Sequence, residues 1–208
     1  EFAGIKLLVE KNNFKKLKRH GQVQNFKTKA RAAYIDKILS FINLTDLKPL
    51  KIVLNSGNGA AGPVVDKLEN FLNNKSVHTD FIRVHHQPDP TFPNGIPNPL
   101  LEENRASTSE AVKKVGADFG VAFDGDFDRC FFFDNLGHFV PSEYIVGVLA
   151  EVFLNREKGA TIIHDPRVVF NTVDIVNACG GNAVVSKTGH AFVKSEMRAR
   201  NAIYGGEM

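Results

Sequence analysis

Three aspartates, Asp124, Asp126 and Asp128, alternate over five residues inside the run FGVAFDGDFDRCFFFD (119–134). Two ionised carboxylates about 4 Å apart repel by roughly 4 kcal/mol at an effective dielectric near 20, so a cluster of three needs a counter-charge. A divalent cation supplies one. Carboxylate oxygens are hard ligands that suit Mg2+ or Ca2+ rather than zinc. Three of them form one face of an octahedral site and leave room for a phosphate oxygen. Gly125 lets the backbone turn tightly between the first two. The bland alternative is a polar hairpin loop whose Asp side chains cap backbone N–H groups; the alternation between two apolar runs favours metal. Arg129 follows directly. Its fork of donors suits a pair of phosphate oxygens, and the competing role is simple counter-charge to the aspartates. An EF-hand also opens D-x-D-x-D, but Arg129 stands where that loop needs Gly, Asn135 stands where it needs Glu, and the flanks read as strands.

A second group is Lys187-Thr188-Gly189-His190, between a strand pattern and a helix pattern. Thr188 and Gly189 at a helix start would face anions or sugar hydroxyls, and His190 could act as acid or base; a lone His is more often a structural residue. Arg167, in HDPRVVFNT, follows a strand and so emerges at the carboxyl edge of a sheet, where open α/β folds place ligands. Gly57, Gly59 and Gly62 spell G-x-G-x-x-G after a strand and before a helix, with Asp80 about twenty residues on, which is the dinucleotide fingerprint. Against it, Pro63 also reads as a helix start, and Asp80 opens its strand instead of closing it. His85 and His86 are adjacent, and neighbours on a strand point to opposite faces, so they make a poor metal pair.

The elements that would position these groups alternate. KARAAYIDKILSFI places Ile35, Ile38, Leu39 and Ile42 on one helical face. The strand LKIVL, the glycine run, a helix over Val64, Val65, Leu68, Phe71 and Leu72, and the strand TDFIRV follow. Five prolines between residues 85 and 100 forbid helix and interior strand. A helix over about 107–115 closes at Gly116, and the strands DFGVAF and RCFFFD flank the aspartates. A helix with Ile145, Val148, Leu149, Val152 and Phe153 on its face runs to Gly159. The rhythm then restarts with ATIIH, a helix over Val169, Val173 and Val176, NAVVS, a helix over Phe192, Val193 and Met197, and AIYG. Such alternation argues α/β units. The expected fold is two successive mixed-sheet α/β domains, the second truncated: 1–28 a connector, 29–157 the domain with the aspartate loop, 158–208 the next.

Composition bounds the remainder. The chain has 208 residues, 43% of them hydrophobic and 24% charged, and a net charge of +3, an ordinary globular balance. Residues 1–31 carry nine Lys/Arg against two acids, leaving 17 basic and 21 acidic residues downstream. A basic arm can read nucleic acid, but this one lacks interleaved aromatics, and no nucleic-acid partner is expected. YIVGVLAEVFL is interrupted by Glu151 and too short to span a bilayer, and residues 1–10 do not read as a signal peptide; no membrane partner is expected. Cys130 and Cys179 are read as reduced cytoplasmic thiols. The absence of an initiating Met and the end at AIYGGEM suggest a piece of a longer protein.

FDGDFDR, together with TGH at 188–190 and GGEM at 205–208, resembles the α-D-phosphohexomutases, and within them the bacterial phosphomannomutases. Asp124 to Arg129 match the family's metal loop D-G-D-x-D-R. PDPTFPNGIPNP (88–99) is similar to its P-D-x-x-F-P…P-N-P loop, GGEM to the start of its sugar loop, and EFAGIKLL to the segment after its phosphoserine loop. The resemblance covers nearly the whole chain. It implies the end of a first domain, a whole second domain and most of a third, with the catalytic serine and a fourth, phosphate-binding domain outside the chain, so that this piece alone is expected to be inactive. It further implies Mg2+ as cofactor on Asp124, Asp126 and Asp128, and a phosphorylated hexose (mannose or glucose phosphate) as substrate. Arg129, Arg167 and His190 take catalytic roles, and Lys187, Thr188, Gly189 and Glu207 bind the sugar. The implied reaction interconverts mannose 6-phosphate and mannose 1-phosphate through a phosphoserine and a bisphosphorylated sugar, in a cytoplasmic monomer of carbohydrate metabolism that feeds GDP-mannose synthesis. Family members often carry Lys at the position of Arg167, and an Arg does not readily give up a proton, so its role is expected to be electrostatic. The rival readings are a NAD-binding oxidoreductase using residues 57–62 and a non-catalytic metal- or sugar-binding module. A dehalogenase-type phosphatase would need an Asp nucleophile and a downstream Lys in a pattern that the chain does not lay out.

Overall fold

A computed structural model describes every residue except 20 and 76. It divides into two compact units, Glu1–Ser40 and Phe41–Met208. The first holds α1 (Phe2–Glu10) and α2 (Lys27–Leu39). From its sequence α1 belongs to a connector; instead, the i, i+3, i+4 spacing of Ile5, Leu8 and Val9 makes a helix, braced by a Lys6–Glu10 pair at 3.8 Å, with no buried residue. α2 stops before the expected Ile42, because Ser40 Oγ donates back to the Lys37 carbonyl at 2.7 Å. Ile35 is its buried residue.

In the second unit, β1 (Leu50–Asn55), α3 (Gly62–Asn74), β2 (Thr79–Val84), α4 (Ala106–Val115), β3 (Phe119–Phe123), β4 (Cys130–Phe133) and β5 (Phe139–Val140) build a five-stranded sheet of order β2-β1-β3-β4-β5. β1 runs parallel to β2 and β3, and β3 and β4 form an antiparallel hairpin in which Phe123 pairs with Cys130. The residues between those partners are the aspartate loop. The proline-rich segment is irregular, and α4 ends at Gly116, whose φ of 59° makes the left-handed cap. Val53, Val112, Ala117, Ala122 and Phe133 form the core.

After α5 (Ser142–Arg156), the strands β6 (Thr161–His164), β7 (Asn182–Val185) and β8 (Tyr204–Gly206) form a parallel sheet of order β7-β6-β8, with α6 (Val169–Ala178) and α7 (His190–Arg200) as crossovers. The α/β class stands. The first sheet is mixed as expected, and the described strands of the second are all parallel. Two expectations about α5 change. Its buried residues are Val146, Gly147, Ala150 and Leu154, whereas Val148, Leu149 and Val152 are exposed. The helix is apolar on nearly every side, so periodicity alone could not choose its face. From the sequence it also falls with the first sheet, yet Ala150 and Leu154 pack with Ile162 and Val176 in the core of the second.

Candidate active site

The aspartate loop leaves β3 through a buried residue. Asp124 is 1% exposed; its Oδ1 accepts the Arg129 backbone N–H at 3.0 Å and its Oδ2 accepts Arg129 Nε at 2.8 Å. Phe127 sits at φ 67° and donates its N–H to the Asp124 carbonyl at 3.3 Å. This tight, partly left-handed turn leaves Asp126 and Asp128 exposed. One carboxylate oxygen from each of the three aspartates lies within 4.8 Å of the others. Burial pushes the Asp124 carboxyl up, but the Arg129 N–H and guanidinium outweigh it and hold it below the usual carboxylate range. Asp128 is pushed the other way, by its hydrogen bond to Asp124, by burial and by the charges of Asp124 and Asp126. Three converging hard oxygens against a single Arg129 charge fit a divalent cation. Arg129 is partly spent as the counter-charge that the sequence left as an alternative: Nε also lies 3.5 Å from Asp128 Oδ1, while the side chain stays 46% exposed.

The second sheet carries its predicted residues past the carboxyl ends of β6, β7 and β8, and a residue that the sequence reading missed ties some of them together. Asp165 follows β6 with a fully buried side chain. Arg167 donates to it three times: backbone N at 2.7 Å and Nε at 2.8 Å to Oδ1, and Nη2 at 2.7 Å to Oδ2. The same Nη2 lies 3.7 Å from Glu207 Oε1, and the Asp165 N–H donates to the Gly206 carbonyl at 3.0 Å. Hydrogen bonding from Arg167, with a smaller part from the Thr188 hydroxyl, holds the Asp165 carboxyl low. Asp165 thus joins the loops that carry Arg167, Thr188 and Glu207. Its available signal was the Asp-Pro-Arg turn, in which an Asp can bind the backbone two residues on.

His190 opens α7 behind the Gly189 cap, exposed and 3.4 Å from Lys194 Nζ through Nδ1. Lys187 reaches over the Phe192 ring, 5.7 Å from its centre. A cleft of about 540 Å³ brings Asp128, Arg129 and Cys130 of the first sheet together with His190, Lys194, Tyr204 and Glu207 of the second. Lys187, Thr188, Gly189 and Arg167 do not line it. Burial pushes the Tyr204 hydroxyl up to about 12. Both cysteines are free thiols.

The G-x-G-x-x-G run does not form a phosphate cradle. A Cβ on Gly57 would meet Pro97 Cβ at 2.3 Å, one on Gly59 the Gly125 carbonyl oxygen at 2.5 Å, and one on Gly62 the His86 carbonyl oxygen at 2.0 Å. Pro97, Gly125 and His86 thus occupy the Cβ side of the three glycines, and the Asn58, Gly59 and Ala60 N–H groups are spent on the His85, Ser56 and Gly125 carbonyls. His85 and His86 lie past the end of β2, with His86 Nε2 2.9 Å from Asp66 Oδ1.

The fold and site thus describe a two-sheet α/β protein with an acidic hairpin loop at the edge of a cleft that mixes charged groups with an apolar wall of Phe131, Phe132, Ile145 and Leu149. The chain belongs to the phosphoglucomutase/phosphomannomutase family: its alpha/beta/alpha domain II model matches residues 32–137 and its alpha/beta/alpha domain III model residues 141–208. A phosphomannomutase of Vibrio cholerae is 54% identical over 98% of this chain and 44% of its own length. A phosphoglucomutase/phosphomannomutase family protein of Burkholderia thailandensis superposes with a TM-score of 0.84 at 30% identity, covering 99% of this chain and 43% of that one. An Aspergillus fumigatus N-acetylphosphoglucosamine mutase, solved with GlcNAc-6P and magnesium, shares the fold at a TM-score of 0.62 and 16% identity over 85% of this chain and 39% of that one. The chain therefore spans under half the length of curated relatives that it matches.

Proposed function

We propose that this chain is the central part of a phosphomannomutase, a phosphohexomutase that interconverts mannose 6-phosphate and mannose 1-phosphate by way of a phosphoserine and a bisphosphorylated sugar. The observation that carries the reading is the convergence of Asp124, Asp126 and Asp128 within 4.8 Å, with Asp128 lining a cleft together with His190 and Glu207. The relatives support the substrate class. These three aspartates would hold Mg2+, which neutralises phosphoryl charge in a transition state stabilised mainly by electrostatics. Arg129 fixes Asp124 through Nε and turns a half-exposed positive group to the cleft. Glu207, tethered towards Arg167, accepts hydrogen bonds from sugar hydroxyls, and Thr188 and Gly189 bound the loop on which His190 is presented. Arg167 keeps its charge and acts electrostatically. Lys187 lies outside the cleft, so its part in sugar binding needs movement of the 186–189 loop. Two free thiols fit a reducing cytoplasm, and the working unit is a monomer.

The test is Asp126→Asn in the full-length protein. Loss of even an outer-shell group at a metal site typically costs 10- to 100-fold, so mutase turnover should fall by on the order of 100-fold or more, with a raised Mg2+ requirement. Turnover with an unchanged Mg2+ dependence would overturn the assignment.

A further inference from the structure

The glycine run left idle by this reading is in contact with the aspartate loop. Gly59 is buried, and its φ is outside the left-handed region, so its backbone conformation does not demand glycine. Space does. A Cβ there would lie 2.5 Å from Gly125 O, 2.9 Å from Gly125 Cα and 3.0 Å from Gly125 C. All three are backbone atoms of the residue between Asp124 and Asp126, with no flexible side chain to yield. The next residue completes the contact, since the Ala60 N–H donates to the same Gly125 carbonyl at 3.0 Å. On its other side Gly125 faces the proline-rich loop, with Phe92 Cζ 3.4 Å and Pro97 Cγ 3.6 Å from the Cβ position. Asn58 ties that loop to the glycine run: Nδ2 donates to the Gln87 carbonyl at 2.9 Å, Oδ1 accepts Asn94 Nδ2 at 2.8 Å, and the backbone accepts the Asp89 N–H at 2.8 Å.

We infer that Gly59 is a positioning residue for the metal loop: its bare Cα and the Ala60 N–H set the height of Gly125, and so the separation of the Asp124 and Asp126 carboxylates. This deepens the reading of those aspartates as a Mg2+ site and rests on it. Added bulk at residue 59 pushes Gly125 outward and spreads the oxygens, without touching any ligand.

Backbone amide NMR of the 208-residue chain during a millimolar Mg2+ titration tests it. In the wild type the amides of 124–129 should shift saturably, and the Ala60 amide should shift with the same midpoint. Gly59→Ala should raise that midpoint by at least about tenfold, the loss typical of an outer-shell change. Gly62→Ala, whose Cβ would strike the His86 carbonyl instead, should leave it within about twofold, against the 10- to 100-fold of an outer-shell loss. An unmoved Ala60 amide in the wild type, which needs no variant to fold, overturns the proposal. So does an equal loss in both glycine variants, or an unchanged midpoint in Gly59→Ala. If 124–129 do not respond in the wild type, or respond equally in Asp126→Asn, the metal reading itself falls and takes this inference with it.

Discussion

At the scale of single residues, the aspartate loop was legible because its signal is local. Three like charges in five residues cannot be indifferent to one another, and spacing alone raised the chemical question. Asp165 was less legible, because part of its meaning lies in partners distant in the chain. A single Asp before a Pro reads as a turn that reaches Arg167 two residues on, and only the sheet brings Thr188 and Gly206 to it. Its buried carboxylate makes a specific claim about acid. The Arg167 hydrogen bonds depress its folded pKa, so the pair's stabilisation is fully present above the unfolded carboxyl value near 3.9 and is lost as pH falls through the lower folded value. Asp165→Asn should therefore be less stable than wild type at pH 7, and the gap should narrow below about pH 4. Urea unfolding at pH 7, 4 and 3 measures it; a constant gap would place the cost in packing rather than charge.

At the scale of elements, most of the strand–helix rhythm could be read from the sequence, since each strand and helix carries its own period and stop signal. The exception is α5. SEYIVGVLAEVFLNR offers apolar residues in every direction, so several faces satisfy a helical period equally. What chose the buried one is size. Gly147 lets the helix approach α6 so closely that a Cβ would lie 2.3 Å from Asn171 Nδ2, and that amide donates to the Glu143 carbonyl at 3.0 Å. Small residues that permit contact carry no hydrophobic signal of their own. The two faces are separable by experiment. Leu154→Ala removes a fully buried side chain and should cost about 2–5 kcal/mol. Val152→Ala, at 42% exposure, should stay within about 0.5 kcal/mol. Chemical denaturation of both variants decides, and the reverse order would restore the face inferred from periodicity.

At the scale of the whole chain, the proposed function depends on two sheets contributing residues to one cleft. The mixed sheet contributes Asp128, Arg129 and Cys130, and the parallel sheet contributes His190, Lys194, Tyr204 and Glu207. No motif contains that pairing, because the two groups belong to different folding patterns and meet only through topology. The pairing is where the proposed mutase and a sugar-binding module part company, since a module confined to the parallel sheet would have no use for the aspartate hairpin. A hexose phosphate seated between Glu207 and Arg129 touches both sheets, so its sugar and phosphate ends should be felt together. Titration of the chain with mannose 1-phosphate in the presence of Mg2+, followed by amide NMR, should move residues 128–130 and residues 190, 204 and 207 with one common midpoint. A common midpoint follows because one ligand bridging both loops has one occupancy. Shifts limited to the parallel sheet would mean that the sugar is held without reference to the metal loop, and the mutase reading of the cleft would give way to the binding module.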